Sequence, residues 1–286
     1  KKIKSIINNI NIIFIKKLLN SFKLIRKSYM SNSVIEYKVL DGVANICLSR
    51  PKQYNSLNGE LRQNFIQILD KIEKDISTRV VIISGAGPGF CAGADLIETT
   101  AEDIPIQLEN EYKPIFEKIV NGKKIFIAAV HGSAAGIGST LALACDFLLM
   151  CENSKLSFVF SNIGLIPDGG AHWSLSQKLG YNKALEFIIN GEHVSASECE
   201  KLGLANKIFK ENNFMNEVES WAKKLAKRSP LVAKETKELL RYSKYSDYWS
   251  TFNKEIKIQA NLAKTDDFKN AVKAFFNKEK PKFFGK

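Results

Sequence analysis

Three stretches of the chain carry residue types able to do chemistry. Gly85 to Leu96 reads GAGPGFCAGADL and Gly132 to Thr140 reads GSAAGIGST, and each follows an apolar run. Glycine in such loops permits positive φ and lets the backbone approach a ligand closely. The second loop leads into a helical pattern, and N–H groups at a helix start face outward and favour negative charge. Two loops of this kind can aim two N–H donors at one oxygen and so form an oxyanion hole. Glycine content alone favours a plainer reading, tight turns between core elements. The third stretch, Ile163 to Gly170, reads IGLIPDGG and sets one carboxylate, Asp168, in apolar surroundings just before a helical pattern. Asp168 taken alone reads most simply as a cap for that helix. It can also serve as a general base whose basicity is set by burial.

Other chemistries find less support. A dinucleotide fingerprint starting at Gly136-Ile137-Gly138 would need its third glycine at Leu141. No phosphate-binding P-loop and no HExxH are present. The cysteines, Cys47, Cys91, Cys145, Cys151 and Cys199, form no CxxC pair, and His131, His172 and His193 lack ligand spacing. We therefore expect no disulfide framework and no metal site. Cys91 could be a nucleophile, although a small buried cysteine is the commoner case.

The elements that must position these stretches read as α/β. Val34–Leu40 and Val43–Ser49 alternate about Asp41-Gly42, a hairpin signal. Asn58 can cap a helix to about Lys74, with Leu61, Phe65, Ile68, Leu69 and Ile72 on one face. Buried-strand runs follow at Val80–Ser84, Ile125–Val130 and Phe147–Cys151, with helices expected over about 106–120 and 139–145. Beyond Asp168 the pattern is helical, apart from a short strand near Lys207–Phe209. Alternating strands and helices, followed by a helical tail, define an α/β class.

The chain's net charge is +12, and eight of its cations lie in residues 1–29, which hold no acid. With the excess so placed, no nucleic-acid partner is expected. The basic, acid-free leader has the pattern of a transit peptide, which predicts a mitochondrial location, or a cytosolic or peroxisomal one if translation starts at Met30. Its longest apolar run is too short to span a bilayer, and no membrane span is expected.

Taken together, the motifs RPKQYNSL (50–57), GPGFCAGADL, VHGSAAGIGSTLALACDF and IGLIPDGG, in this order and spacing, resemble those of the enoyl-CoA hydratase/isomerase (crotonase) family. The likeness runs from about residue 34 to AFFNKEKPKFFGK at the end. It implies a spiral of strand-strand-helix turns over 34–230, after a leader at 1–33. A helical region at 231–286 would assemble a homotrimer or homohexamer. It also implies an acyl-CoA thioester as substrate, with no separate cofactor. The implied oxyanion donors are the backbone N–H groups of Ala94 and Ile137, with Ala92, Asp95, Leu96 and Gly138 at the substrate. Family hydratases handle water with two glutamates, where this chain has Thr140 and Phe160. Certain family isomerases instead place one carboxylate where this chain has Asp168, and its segment resembles the ring-opening phenylacetate-pathway type. The expected reaction is therefore movement of a double bond in an enoyl-CoA with Asp168 as single base. Alternatives are a hydratase or other lyase of the family, and a non-catalytic relative that binds acyl-CoA or RNA.

Overall fold

The computed structural model describes residues 30–32 and 34–286. The cation-rich residues 1–29, on which the transit-peptide expectation rests, lie outside the described residues. Met30–Asn32, expected in the leader, instead form strand β1, paired antiparallel with Ile35–Leu40 (β2).

β2 turns into Val43–Leu48 (β3) through Asp41 at φ 52° and Gly42 at φ 77°. Both central residues have positive φ, as a two-residue hairpin turn of matching twist demands. Val80–Gly85 (β4), Ile125–Val130 (β5), Phe147–Cys151 (β7) and Lys207–Phe209 (β10) then add in parallel, giving the sheet order β1-β2-β3-β4-β5-β7-β10. The central strands are continuous apolar runs because both faces are covered. On one face Val80, Ile82, Ile127 and Leu149 pack against Val218 and Ala222 of a helix spanning Phe214–Ala226. On the other, Ile46, Val81, Ile83 and Ala128 meet Phe65, Ile115 and Leu141. Phe65 belongs to the Gly59–Lys74 helix, whose N-terminus is closed by Asn58 Oδ1 accepting from Leu61 N at 3.1 Å. The expected cap and buried face are both present.

A second, three-stranded sheet joins Ser133–Ala135 (β6), Lys155–Ser157 (β8) and His193–Ser195 (β9). Each is three residues long, too short to show a period of two, so none was legible beforehand. The helix expected over 106–120 begins earlier, at Asp103, and is not uniform. A π-helical turn at Leu108–Tyr112 precedes the Lys113–Asn121 helix, whose first turn holds Pro114. Proline has no N–H for the regular i→i−4 bond, and local widening of the helix accommodates it.

Three helices, Pro230–Ser243, Tyr248–Leu262 and Asp266–Phe276, close the described chain. The first is pinned to the core by Lys237, which reaches Asp146 at 2.7 Å and the Lys124 carbonyl at 2.6 Å. No helix among the described residues is long and apolar enough to cross a membrane.

Candidate active site

The two glycine loops meet edge to edge. The Ala135 N–H donates to the Cys91 carbonyl at 2.8 Å, and the Phe90 N–H donates to the Ser133 carbonyl at 3.1 Å. Leu57 bridges to Ala94 and Cys91 to Ala134. Glycine is required where the loops touch. Gly93 holds φ 100°, and a Cβ there would lie 2.8 Å from the Ala135 carbonyl oxygen and 3.5 Å from the Ile137 nitrogen. Gly136 holds φ 53° and gives its own N–H to the Ser157 carbonyl at 2.9 Å. Ile137 is thereby left as the first residue of the Ile137–Ala144 helix. Among the described residues the N–H groups of Ala94 and Ile137 donate to no carbonyl. Two neighbouring free donors on adjoining loops are the arrangement that can stabilise an oxyanion.

The other residues singled out beforehand divide. Ala92 and Leu96 are exposed beside the loop, whereas Gly138 is buried against Cys91. A Cβ at Gly138 would stand 2.4 Å from the Cys91 carbonyl oxygen, so close loop-to-helix packing is what its lack of a side chain serves. Asp95 is buried and its carboxylate is taken. Arg50 Nη1 donates to Oδ2 at 2.8 Å and Ser56 Oγ donates at 3.1 Å. Burial pushes this carboxyl up, but the Arg50 and Ser56 hydrogen bonds and the Arg50 charge outweigh it and hold it below the ordinary range. Cys91 is fully buried, and burial pushes its thiol up to about 12, which removes it as a nucleophile.

Asp168 does not cap the helix that follows. That helix begins at Ala171 with Gly170 in the cap position, and no side chain closes it. Asp168 Oδ1 is buried with no hydrogen-bond partner, and burial pushes the carboxyl up to about 6. The next residue, Gly169, is pressed on Phe116 and Thr140. A Cβ there would stand 2.7 Å from the Phe116 ring and 3.0 Å from Thr140 Cγ2. Thr140 lies one turn into the helix that starts at Ile137, so the carboxylate and the free N–H of Ile137 are held by touching elements. Phe160, the other position lacking a glutamate, brings its ring tip to 3.9 Å from the Cβ position of Gly136. No group of His, Cys, Asp and Glu among the described residues could hold a metal ion.

Sequence reading gave no role to Asn55, which the structure puts behind the first loop. Its Nδ2 donates to the carbonyls of Ala86, Gly89 and Phe90 at 2.9, 2.8 and 3.2 Å. Asn55 itself adopts φ 58°, a conformation asparagine tolerates better than most residues. An asparagine just after Arg50-Pro51 was the available signal. A cleft of about 810 Å³ opens where the two loops begin, beside Cys47, Ser84, Gly85, His131 and Gly132. There His131 is engaged with the Gly87 carbonyl at 2.9 Å, and burial raises the Cys47 thiol.

The family model described as Enoyl-CoA hydratase/isomerase matches residues 38–286, and the chain belongs to that family. The chain is 30% identical to the 1,2-epoxyphenylacetyl-CoA isomerase of Escherichia coli K12, over 86% of this chain and 96% of that one. It is also 30% identical to the 2,3-dehydroadipyl-CoA hydratase of the same organism, over 84% and 94%. The crystal structure of enoyl-CoA hydratase from Bacillus anthracis superposes with a TM-score of 0.85 at 29% identity, covering 88% of this chain and all of that one. The fold is thus the α/β crotonase spiral with its helical C-terminal region. The mitochondrial expectation is corrected by these relatives. They are bacterial proteins, from cells without the organelle, and the family match begins only at residue 38. A basic, acid-free composition attracts anionic surfaces generally and does not by itself specify a destination.

Proposed function

We propose that the chain is an acyl-CoA isomerase that shifts a double bond in an enoyl-CoA thioester. The thioester carbonyl accepts hydrogen bonds from the N–H groups of Ala94 and Ile137, which stabilise the dienolate formed when a C2 proton leaves. Asp168 takes that proton and returns it to C4. One observation carries the reading: Asp168 is a half-buried carboxylate with one buried, unpartnered oxygen, capping nothing, next to a glycine pressed on Thr140 of the helix that Ile137 begins. Its basicity, raised by burial to about 6, suits a base working near neutral pH. The reaction calls for no cofactor, since CoA is part of the substrate.

The hydratase names among the relatives favour hydration as a second reading. Adding water needs an activated water and a proton donor, and Thr140 and Phe160 do not provide a second carboxylate. The deciding experiment offers 3-enoyl-, 2-enoyl- and ring-epoxide CoA esters to the purified protein and identifies the products. A shifted double bond from the 3-enoyl ester supports the reading. A 3-hydroxyacyl product at hydratase rates, with no isomerisation, overturns it.

Assembly as a homotrimer or homohexamer through the three C-terminal helices belongs to the same reading. It is supported by Tyr248, Trp249, Phe252 and Ile256, all exposed on one helix of a single chain. Light scattering that returns a monomer would overturn it.

A further inference from the structure

The strands that carry the two glycine loops at one end meet a basic cleft at the other. Arg79 immediately precedes β4, and Lys123 and Lys124 immediately precede β5. These three line a cleft of about 180 Å³ together with Arg228 and Lys234, and no acidic side chain lines it. Each strand is six residues long, about 20 Å at the usual rise, so the cleft lies about that far from the loops. It is no part of the proposed active site. The fold answers its charges poorly. Lys234 pairs with Glu235 at 2.8 Å. Arg79 and Lys124 donate only to carbonyls, Arg79 to those of Ala226 and Phe283, Lys124 to that of Asp75 at 2.7 Å. The side chains of Lys123 and Arg228, both exposed, donate to no group among the described residues. Two nearby carboxylates are already engaged. Asp75 accepts from Ser77 and Thr78, and Asp267 from Ser229 and the N–H groups of Phe284 and Gly285. Burial, then the charges of Lys123 and Arg79, hold the Lys124 ammonium below its ordinary range against the opposing charge of Asp75. Uncompensated positive charge in a cleft attracts anions.

We infer that this cleft is a binding site for a phosphomonoester, its phosphate held by Lys123, Lys124 and Arg228. The rim supplies the rest of the site, because Ile76 and Phe284 line it with exposed apolar surface on which a ring or chain can lie. The room is that of about six waters in the liquid, which suits a phosphate group and not a whole coenzyme. Lysine and arginine hold phosphate through charge-assisted hydrogen bonds, about twice as strong as neutral ones. The lining comes from separate parts of the chain: residues 76–79, residues 123–125, the end of the Phe214–Ala226 helix with the start of the next, and Phe284-Gly285. A bound phosphate braces these segments against one another, so the ligand stabilises the fold as well as filling the cleft.

The test reads binding rather than turnover, so it stands apart from the identity of the reaction. Calorimetry in chloride buffer compares adenosine monophosphate with adenosine, ligands that differ by the phosphate. The unmodified protein is expected to bind the nucleotide and not the nucleoside, more weakly as salt is raised, and to melt at a higher temperature when it is bound. Lys123→Gln and Arg228→Gln, made together, are expected to weaken the nucleotide by about tenfold or more. Neither side chain donates to the fold, so the double variant should melt, without ligand, as the parent does. No binding by the parent, or equal binding of adenosine, overturns the inference. Binding undiminished in the double variant also overturns it, and would place the nucleotide at another site.

Discussion

Arg50 Nη1 donates to the Asp95 carboxylate at 2.8 Å across 45 residues of sequence, and the same nitrogen donates to the Ser56 carbonyl at 2.5 Å. One guanidinium thus fastens the segment before the first glycine loop to the residue after its free N–H donor, Ala94. Asp95 is held below the ordinary carboxylate range, so its contribution to stability is present above its unfolded value, near 3.8. That contribution is lost as the pH falls below this value through the lower folded one. Arg50→Met should cost about 3 kcal/mol, because it leaves a buried carboxylate unpaired. Chemical denaturation at neutral pH checks the size, and a difference from the parent that persisted unchanged at pH 2 would contradict the pairing.

Asp168 has the opposite sign. Its carboxyl is raised to about 6 from an ordinary 3.8, so the folded protein holds the proton more tightly than the unfolded chain. Stability from this group is fully present below pH 4 and declines as the pH climbs to about 6. Asp168→Asn should therefore be as stable as the parent at low pH and more stable at pH 8, by on the order of 2 kcal/mol. Isomerase turnover should fall by about a hundredfold or more. In the parent, kcat/KM should rise with pH through about 6 and then level. An Asn variant with normal turnover would remove Asp168 as the base.

Hydration of crotonyl-CoA should be negligible. The assay is the loss of enoyl absorbance, and a rate typical of hydratases would show that a single carboxylate beside Thr140 suffices to activate water.

Gly93→Ala should separate the two donors, since the added methyl would stand 2.8 Å from the Ala135 carbonyl oxygen. Loss of one oxyanion donor lowers the rate by about 3 kcal/mol, or roughly a hundredfold. Gly180→Ala is the control: it also has positive φ, at 75°, but no atom lies within 4 Å of the new methyl. Both should lose some stability, and only Gly93→Ala should lose turnover to that extent.

Lys237→Ala should destabilise the protein by about 3 kcal/mol, because Asp146 would keep a buried charge whose near partner at 2.7 Å is gone. Limited proteolysis should then release the C-terminal helices before the core is cut. Simultaneous cleavage throughout would show that the pair does not anchor them.

Much of this architecture could be read from residues because the signals were local. Asp41-Gly42 specifies its hairpin, Asn58 closes its helix, and the apolar runs at 80–84 and 125–130 have no other place than a covered sheet. The role of Asp168 was not decidable locally. A carboxylate before a helix looks the same whether it caps or not, and only the start at Ala171 with Gly170 in the cap position separates the two. Asn55 escaped for another reason. Its three carbonyl acceptors lie 31 to 35 residues away, and nothing in its own neighbourhood announces them. Likewise, composition could place cations at residues 1–29 but could not say what they address.

The groups proposed to hold the thioester carbonyl are main-chain atoms, at Ala94 and Ile137, steered by the φ angles of Gly93 and Gly136. A saturation scan of the chain would therefore map this centre indirectly. Replacements at 94 would register as bulk near a ligand, and those at 137, which is 2% exposed, as lost packing. The sharp signature would fall on the neighbouring glycines, where nearly every exchange is intolerant for conformational reasons. To see the donors themselves one must edit the amide, by replacing it with an ester through chemical ligation. That exchange deletes a single hydrogen-bonding proton and leaves every side chain in place.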